Sequence, residues 1–199
     1  MAKLVNQTIF ASRLKSKGLL LFGAGDVQII FNLSKVATAS LLHRYKKRGF
    51  ISQPRRGLYV FPDALPMDFF FANKAYGPSY ISLETALSYH GIIPETVYEV
   101  TSVTPKATRH FEAMGKIFSY HKIKKIAYRG YQIKKQQRTS FYIADAEKAF
   151  VDTNYLRLVN GEGPISRFNK EKINTKKALG YARLFESPRL ELVIRKILK

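Results

Sequence analysis

The sequence feature that most restricts the fold is an amphipathic segment of helical length, residues 34–48, which leads directly into two short β-prone runs. Ser34 is a favourable N-cap, and Gly49 is the residue type that most often follows a helix C-terminus. One face of the segment carries side chains at helical spacing: Thr38, Leu41, Leu42 and Tyr45. We therefore predict a helix that buries this face and is joined to a hairpin by a glycine.

The hairpin is predicted from residues 50–53 and 58–61, which are rich in aromatic and β-branched residues. The loop between them, residues 54–57, begins with proline and ends with glycine, two residue types that favour turns. Arg55 and Arg56 occupy this loop, so the hairpin tip is expected to be basic.

Two further helical segments precede the longer helix. Residues 4–14 carry apolar side chains at helical spacing, and Asp26 is predicted to cap a short helix that ends at Asn32. Asn32 and Leu33 predict a tight turn into the longer helix. A helix, a short helix, a turn, a longer basic helix and a hairpin are typical of a winged helix-turn-helix domain. We predict that residues 1–61 form one.

The charge of the chain indicates a polyanionic partner. It has 34 basic and 14 acidic residues, for a formal net charge of +20. The net charge is +10 over residues 1–62, −4 over 63–104, +9 over 105–138, −2 over 139–163 and +7 over 164–199. Clustered Lys and Arg favour nucleic acid through counterion release, and no amphipathic basic anchor indicates a membrane. The hydrophobic content of 46% excludes global disorder.

The predicted DNA contacts are hydrogen-bond donors on the solvent face of the longer helix and on the hairpin. A helix in the major groove reads base edges through donors and acceptors, whereas hairpin arginines reach phosphates or a narrow minor groove. The candidate residues are Lys35, Ser40, His43, Arg44, Lys47, Arg55 and Arg56. An alternative for residues 46–48 is a solvated helix end that the helix dipole stabilises.

Pro62 and Pro66 bracket a predicted linker, residues 62–66, where the charge also changes sign. Residues 67–199 are predicted to form a larger domain with a mixed or antiparallel sheet and terminal helices, so the whole chain is expected to be α+β. Its predicted helices are 67–75, 83–90, 145–158, 175–185 and 188–198, and its predicted strands are 97–104, 117–121, 131–133 and 139–143.

Three segments resemble the AbiEi-type antitoxins of type IV toxin–antitoxin and abortive-infection systems, which act in phage defence. Residues 80–93, beginning Tyr-Ile-Ser, resemble the "YIS..SAL..hGl" segment of that family, and residues 144–152, with Glu-Lys-Ala, resemble its "(A/S)xxEKALxD" segment. The hairpin residues 55–59 resemble its "rRGlY" segment. The three occur in the order of the family and at about its spacing, although Glu84 and Thr85 replace the small residues that are common there.

The resemblance implies a protein with two activities and no cofactor. The winged helix would repress its own operon by binding inverted repeats in promoter DNA. The domain at residues 67–199 would counteract a nucleotidyltransferase-like toxin without forming a stable complex with it. A cytoplasmic location is expected, because the chain has no cysteine and no apolar run long enough to cross a bilayer.

Two alternatives from other classes follow from the residues. The carboxylates of Asp145, Glu147 and Asp152 raise the possibility of a metal-dependent, nuclease-like enzyme, but helix capping accounts better for them. The four histidines show no metal-ligand spacing, and no catalytic residues are predicted. The other alternative is a protein-interaction module that sequesters a partner.

The second domain also carries candidate polyanion contacts. The predicted antitoxin surface, which would compete with the toxin for a nucleic acid such as tRNA, comprises Lys122, Lys124, Lys125 and Arg129. Aromatic residues lie among these lysines, namely Phe118, Tyr120, Tyr128 and Tyr131. They are candidates for stacking on single-stranded bases, with one face of a sheet as the simpler explanation.

Overall fold

The computed structural model describes residues 5–136 and 139–199. Over these residues the α+β class predicted from the sequence is confirmed. Within the same two ranges, none of the helices has both the length and the apolar character that crossing a bilayer requires.

The chain divides into two compact units, the first ending at Met67 and the second beginning at Asp68. The segment 62–66, predicted as a linker, lies inside the first unit. There Lys15 Nζ donates a hydrogen bond of 2.7 Å to Asp63 Oδ2, and this bond lowers the pKa of the Asp63 carboxyl. The segment therefore continues the contacts of the first unit.

Over its described residues, from residue 5 onward, the first unit contains three helices and a three-stranded antiparallel sheet. Its elements are α1 (Gln7–Ser16), β1 (Leu21–Phe22), α2 (Ala24–Phe31), α3 (Lys35–Lys47), β2 (Ser52–Arg55) and β3 (Leu58–Val60). The strand order is β1-β3-β2. The predicted start of α3 is confirmed, since Ser34 Oγ accepts a hydrogen bond from the Ala37 N–H at 3.2 Å. Its predicted end is also confirmed, because Gly49 follows with a φ of +68° that glycine adopts readily.

An aromatic core holds the first unit together. Phe10 of α1 is fully buried, and its ring contacts the rings of Phe22, Phe31 and Tyr45 at centroid distances of 5.8, 5.2 and 5.0 Å. The predicted inner face of α3 is confirmed as buried: Thr38, Leu41, Leu42 and Tyr45. Full burial of each large apolar side chain contributes about 1.5–3 kcal/mol, so this core fixes which face of α3 meets solvent.

The prediction that Asp26 caps α2 is wrong. Gly23 is the N-cap, and Asp26 lies in the first turn, where its Oδ2 accepts a hydrogen bond from the Gly23 N–H at 2.7 Å. A carboxylate three residues after the N-cap can accept a hydrogen bond from the N-cap N–H, as in a capping box. The helix therefore begins two residues before Asp26 instead of after it.

The predicted hairpin loop at residues 54–57 is too long. Arg55 pairs with Leu58, so the turn consists of Arg56 and Gly57 alone. Gly57 has a φ of +83°, which permits this two-residue turn. Pro54 lies within β2, where its missing N–H is tolerated because β2 is an edge strand.

The second unit is built around a six-stranded mixed sheet. Its strands are β4 (Tyr80–Ile81), β5 (Val100–Thr104), β6 (Arg109–Ala113), β7 (Lys116–Lys122), β8 (Tyr131–Gln136) and β9 (Thr139–Ala144). The order is β6-β7-β5-β4-β9-β8, with β4–β9 and β5–β7 parallel and the other pairs antiparallel. Strands β4 and β6 were not predicted from the sequence, because β4 has only two residues and β6 is a mostly exposed edge strand.

The helices of the second unit are α4 (Asp68–Ala75), α5 (Leu83–Tyr89), α6 (Ala146–Val159), α7 (Thr175–Arg183) and α8 (Pro188–Ile197). Helix α6 contacts α5, α7 and α8, and this central place explains why polar residues along it are buried. The predicted cap of α6 is confirmed, since Asp145 Oδ1 accepts a hydrogen bond from the Lys148 N–H at 2.8 Å. Short 3-10 helices lie at Lys125–Ala127 and Lys170–Lys172.

Candidate nucleic-acid interface

The outer face of α3 carries predicted DNA-contacting side chains. Ser40, His43 and Lys47 are exposed and follow one another at the spacing of one helix face, and Lys35 is exposed in the first turn. Arg44 is half-buried, with its guanidinium carbon 5.9 Å from the centre of the Tyr45 ring. Because Tyr45 is buried in the core, this contact holds the Arg44 guanidinium close to the helix.

Sequence analysis overlooked Val36, which lies on the same face one turn before Ser40. Its side chain is 77% exposed, an unusual position for an apolar residue on a helix whose other face builds a core. A valine side chain carries no hydrogen-bond donor, so a pattern of donors does not include it. The thymine methyl group is recognised by apolar contact, so a valine at this position adds a property that the polar residues lack.

The hairpin follows the basic end of α3. Arg56 is exposed in the two-residue turn, and Arg55 is half-buried in β2, so only one of the two predicted arginines occupies the tip. Lys46 Nζ donates a hydrogen bond of 3.0 Å to Gln53 Oε1, which ties α3 to β2. Lys46 therefore has a partner on the hairpin, whereas Lys47 presents its charge to solvent.

In the second unit, the residues of the predicted basic surface run from the last residue of β7 through the segment that precedes β8 in the chain. All four of its residues are exposed: Lys122, Lys124, Lys125 and Arg129. Lys124 Nζ lies 3.5 Å from Glu186 Oε2 in an ion pair with both side chains largely in solvent. Exposed pairs of this kind contribute about 0–1 kcal/mol, so the pairing leaves Lys124 available to a polyanion.

Two of the segments that carry the family resemblance meet in a buried polar network. Tyr80 OH and Ser82 Oγ donate hydrogen bonds of 3.1 and 2.8 Å to Asp152 Oδ2, and Lys148 Nζ pairs with Asp152 Oδ1. Neither Lys148 nor Asp152 exposes any side-chain surface. Burial raises the pKa of the Asp152 carboxyl and lowers the pKa of the Lys148 ammonium. These motif residues hold the second unit together and face no solvent.

The other two carboxylates of the nuclease-like alternative also have structural partners. Asp145 accepts hydrogen bonds from the Lys148 N–H and from Tyr181 OH, the latter at 2.6 Å. Glu147 accepts hydrogen bonds from Lys177 Nζ at 2.8 Å and from the Asn174 N–H at 3.1 Å. Burial opposes its ionisation most strongly, but these hydrogen bonds and the Lys177 charge together outweigh burial and lower the pKa of Glu147. Within the described part of the chain, no group of three His, Cys, Asp or Glu is placed to hold a metal ion.

The aromatic residues proposed for stacking divide into two sets. Phe118 and Tyr120 are fully buried, and the Tyr120 hydroxyl donates to the Ala72 carbonyl oxygen at 2.8 Å, so they form one face of the sheet. Tyr128 and Tyr131 instead line an open cavity. The simpler explanation, one face of a sheet, therefore accounts for Phe118 and Tyr120.

No protein-family profile matches the chain, and no curated protein is significantly similar to it.

Proposed function

We propose that the first unit is a winged helix-turn-helix that binds double-stranded DNA and represses the promoter of its own operon. The observation that carries the proposal is the exposed face of α3, with its hydrogen-bond donors and the exposed Val36, beside a hairpin whose tip is basic. In this arrangement α3 enters the major groove, and Arg56 contacts the phosphate backbone or the minor groove. The inverted repeats expected of such an operator follow from the family resemblance.

The roles within the first unit are separable by substitution. Arg44→Ala is expected to weaken binding to the upstream DNA of the chain's own gene by about 1–3 kcal/mol and to reduce discrimination against unrelated DNA. Arg56→Ala removes a phosphate contact, so it is expected to weaken binding to both DNAs alike and to lower the salt slope by about one. Gel-shift titrations of the full chain on the two DNAs measure both quantities.

Lys17→Ala is the control, because Lys17 is an exposed basic residue outside the proposed interface. It is expected to leave the ratio of the two affinities unchanged. If Arg44→Ala and Arg56→Ala gave the same ratio, the assignment of base and backbone contacts would be incorrect.

We further propose that the second unit is the antitoxin domain and that the protein acts without catalysis of its own. The engagement of Asp145, Glu147 and Asp152 in a helix cap, ion pairs and buried hydrogen bonds supports a non-enzymatic role. The basic surface supports competition with a nucleotidyltransferase-like toxin for a nucleic acid, in place of a stable complex with the toxin.

Reversal of the basic surface tests this mechanism. The full chain with Lys122, Lys124, Lys125 and Arg129 all changed to Glu is expected to lose protection of cells that express the toxin of the neighbouring gene. Operator binding by the first unit should remain within about twofold of that of the unaltered chain, because none of the four substituted residues belongs to the first unit. Survivor counts and gel shifts measure the two effects. Full protection by the reversed variant would exclude the polyanion mechanism.

A further inference from the structure

The second unit contains a small cavity that is lined in part by three tyrosines. Its volume is about 240 Å³, and its lining residues are Asn73, Pro78, Ser79, Tyr128, Tyr131 and Tyr142. Pockets for drug-sized ligands span roughly 300–1,000 Å³, so this cavity suits a single small ring system.

The tyrosine rings of the cavity are held in place from below. The Tyr131 ring stacks on the Tyr80 ring at a centroid distance of 4.7 Å and an angle of 23°. Tyr80 is fully buried, and its hydroxyl is bound to Asp152 in the buried polar network. The Tyr142 ring packs edge-on against the Tyr131 ring at a centroid distance of 5.7 Å. The Tyr128 and Tyr131 ring centroids are 5.4 Å apart. Tyr131 is therefore a pre-organised flat surface, 38% exposed.

One polar group of the cavity lacks a partner. Ser79 is 4% exposed, and its Oγ makes no hydrogen bond to any residue in the described ranges. Asn73 does not satisfy it, since its Oδ1 accepts from the Tyr142 N–H at 2.6 Å and its Nδ2 lies 3.4 Å from the Ser79 carbonyl oxygen. A buried hydroxyl without a partner costs about 1–3 kcal/mol, which a ligand atom would recover.

The surroundings of the cavity are basic. Side chains alternate along β8, so Tyr131, Ile133 and Lys135 share a face, and Ile133 is 60% exposed. Arg129, directly after Tyr128, belongs to the basic surface and is exposed. Aromatic walls alone also suit an organic cation, but neighbouring positive charges repel a cation and attract a polyanion.

We propose that this cavity binds one unpaired base of a single-stranded nucleic acid. The base stacks on Tyr131, its polar edge hydrogen-bonds with the Ser79 hydroxyl, and the basic side chains contact the flanking phosphates. The inference deepens the function proposed for the second unit and rests on it, because the strand must first be held by the basic surface.

Fluorescence anisotropy of the full chain with labelled strands of about ten nucleotides tests the proposal, because this length fits the usual site sizes. Each strand is compared with an abasic strand of the same length and charge, in RNA and DNA forms. The base-containing strand is expected to bind about tenfold more tightly than the abasic strand. Tyr131→Leu and Tyr142→Leu are expected to remove most of that difference in affinity and to leave the affinity for the abasic strand unchanged.

Ser79→Ala separates binding from structure. It removes the unpartnered hydroxyl, so the thermal midpoint is expected to stay the same or rise while the base-containing strand binds more weakly. Tyr98→Leu is the matched control, since Tyr98 is 88% exposed and lines a different groove. The RNA and DNA arms show which strand is preferred, since only RNA offers a 2′-hydroxyl.

The remaining outcomes overturn the inference in distinguishable ways. Equal binding of base-containing and abasic strands would refute the base cavity and leave the proposed polyanion surface intact. Failure of both strands to bind would refute the polyanion surface and the cavity together. An unchanged base preference in folded Tyr131→Leu and Tyr142→Leu chains would place the base elsewhere.

Discussion

Replacement of Lys148 by methionine is expected to lower the free energy of unfolding of the second unit by about 3–5 kcal/mol. Methionine keeps the length of the side chain but leaves the Asp152 carboxylate buried without its cation. The hydroxyls of Tyr80 and Ser82 still donate to Asp152, but neutral donors do not compensate a buried charge. Urea unfolding measures the loss, and hydrogen exchange in residues 139–159 assigns it to the second unit.

The expected loss depends on pH, with a definite sign. Burial already raises the pKa of Asp152, and removal of the Lys148 cation takes away the main opposing influence. The folded variant therefore binds a proton that the unfolded chain, with an aspartate pKa of about 3.9, releases. Between the unfolded and the raised folded pKa of Asp152, the free energy of unfolding of the variant rises as the pH falls. The stability difference between the variant and the unaltered chain should therefore be smaller at a pH of about 5 than at about 7.

A double variant provides the control. Lys148→Met with Asp152→Asn removes both charges and keeps an oxygen that accepts from Tyr80 and Ser82. It is expected to be more stable than Lys148→Met alone, because no uncompensated charge remains buried. Additive losses from the two substitutions, or a loss below about 1 kcal/mol for Lys148→Met, would contradict this account of the pair.

The starts of α3 and α6 could be predicted from the sequence, because each is fixed by the side chain of its own N-cap residue. Ser34 and Asp145 were predicted as caps and are caps, because a short polar side chain before an apolar periodic segment has few other uses. Asp26 misled the analysis, since an acidic residue in the first turn and one at the N-cap look alike in sequence. The length of the hairpin turn likewise depends on pairing between Arg55 and Leu58, which no local pattern specifies.

The exposed face of α3 could be predicted from the sequence, whereas the tyrosine cavity and the buried network at Asp152 could not. Exposed donors on α3 follow from helical periodicity once the buried face is known. The tyrosine cavity joins Ser79, Tyr131 and Tyr142, which are brought together by sheet pairing across long stretches of chain. The network at Asp152 spans 70 residues to Ser82. Contacts of this range leave no periodic signal, so the carboxylate of Asp152 was open to interpretation as part of a surface site.

The largest effect on binding is expected from salt. The affinity of the full chain for its own upstream DNA should fall on the order of a thousandfold between about 50 and 200 mM salt, if six or more phosphates are neutralised. The expectation follows from the net charge of +10 over residues 1–62 and from the exposed Lys47 and Arg56. Gel shifts at a series of salt concentrations give the slope of log affinity against log salt.

Two charge-reversed variants assign that slope to one unit or the other. Lys47→Glu with Arg56→Glu removes two proposed phosphate contacts, so the slope should fall by about two and the affinity should drop at every salt concentration. The four-residue reversal at Lys122, Lys124, Lys125 and Arg129 is the matched control in the second unit and should leave the slope on duplex DNA unchanged. A slope that flattens as much in the control as in the double variant would mean that the second unit, and not α3 with its hairpin, holds the duplex. The proposed division of labour between the two units depends on the opposite result, because each unit is basic enough to bind a polyanion non-specifically.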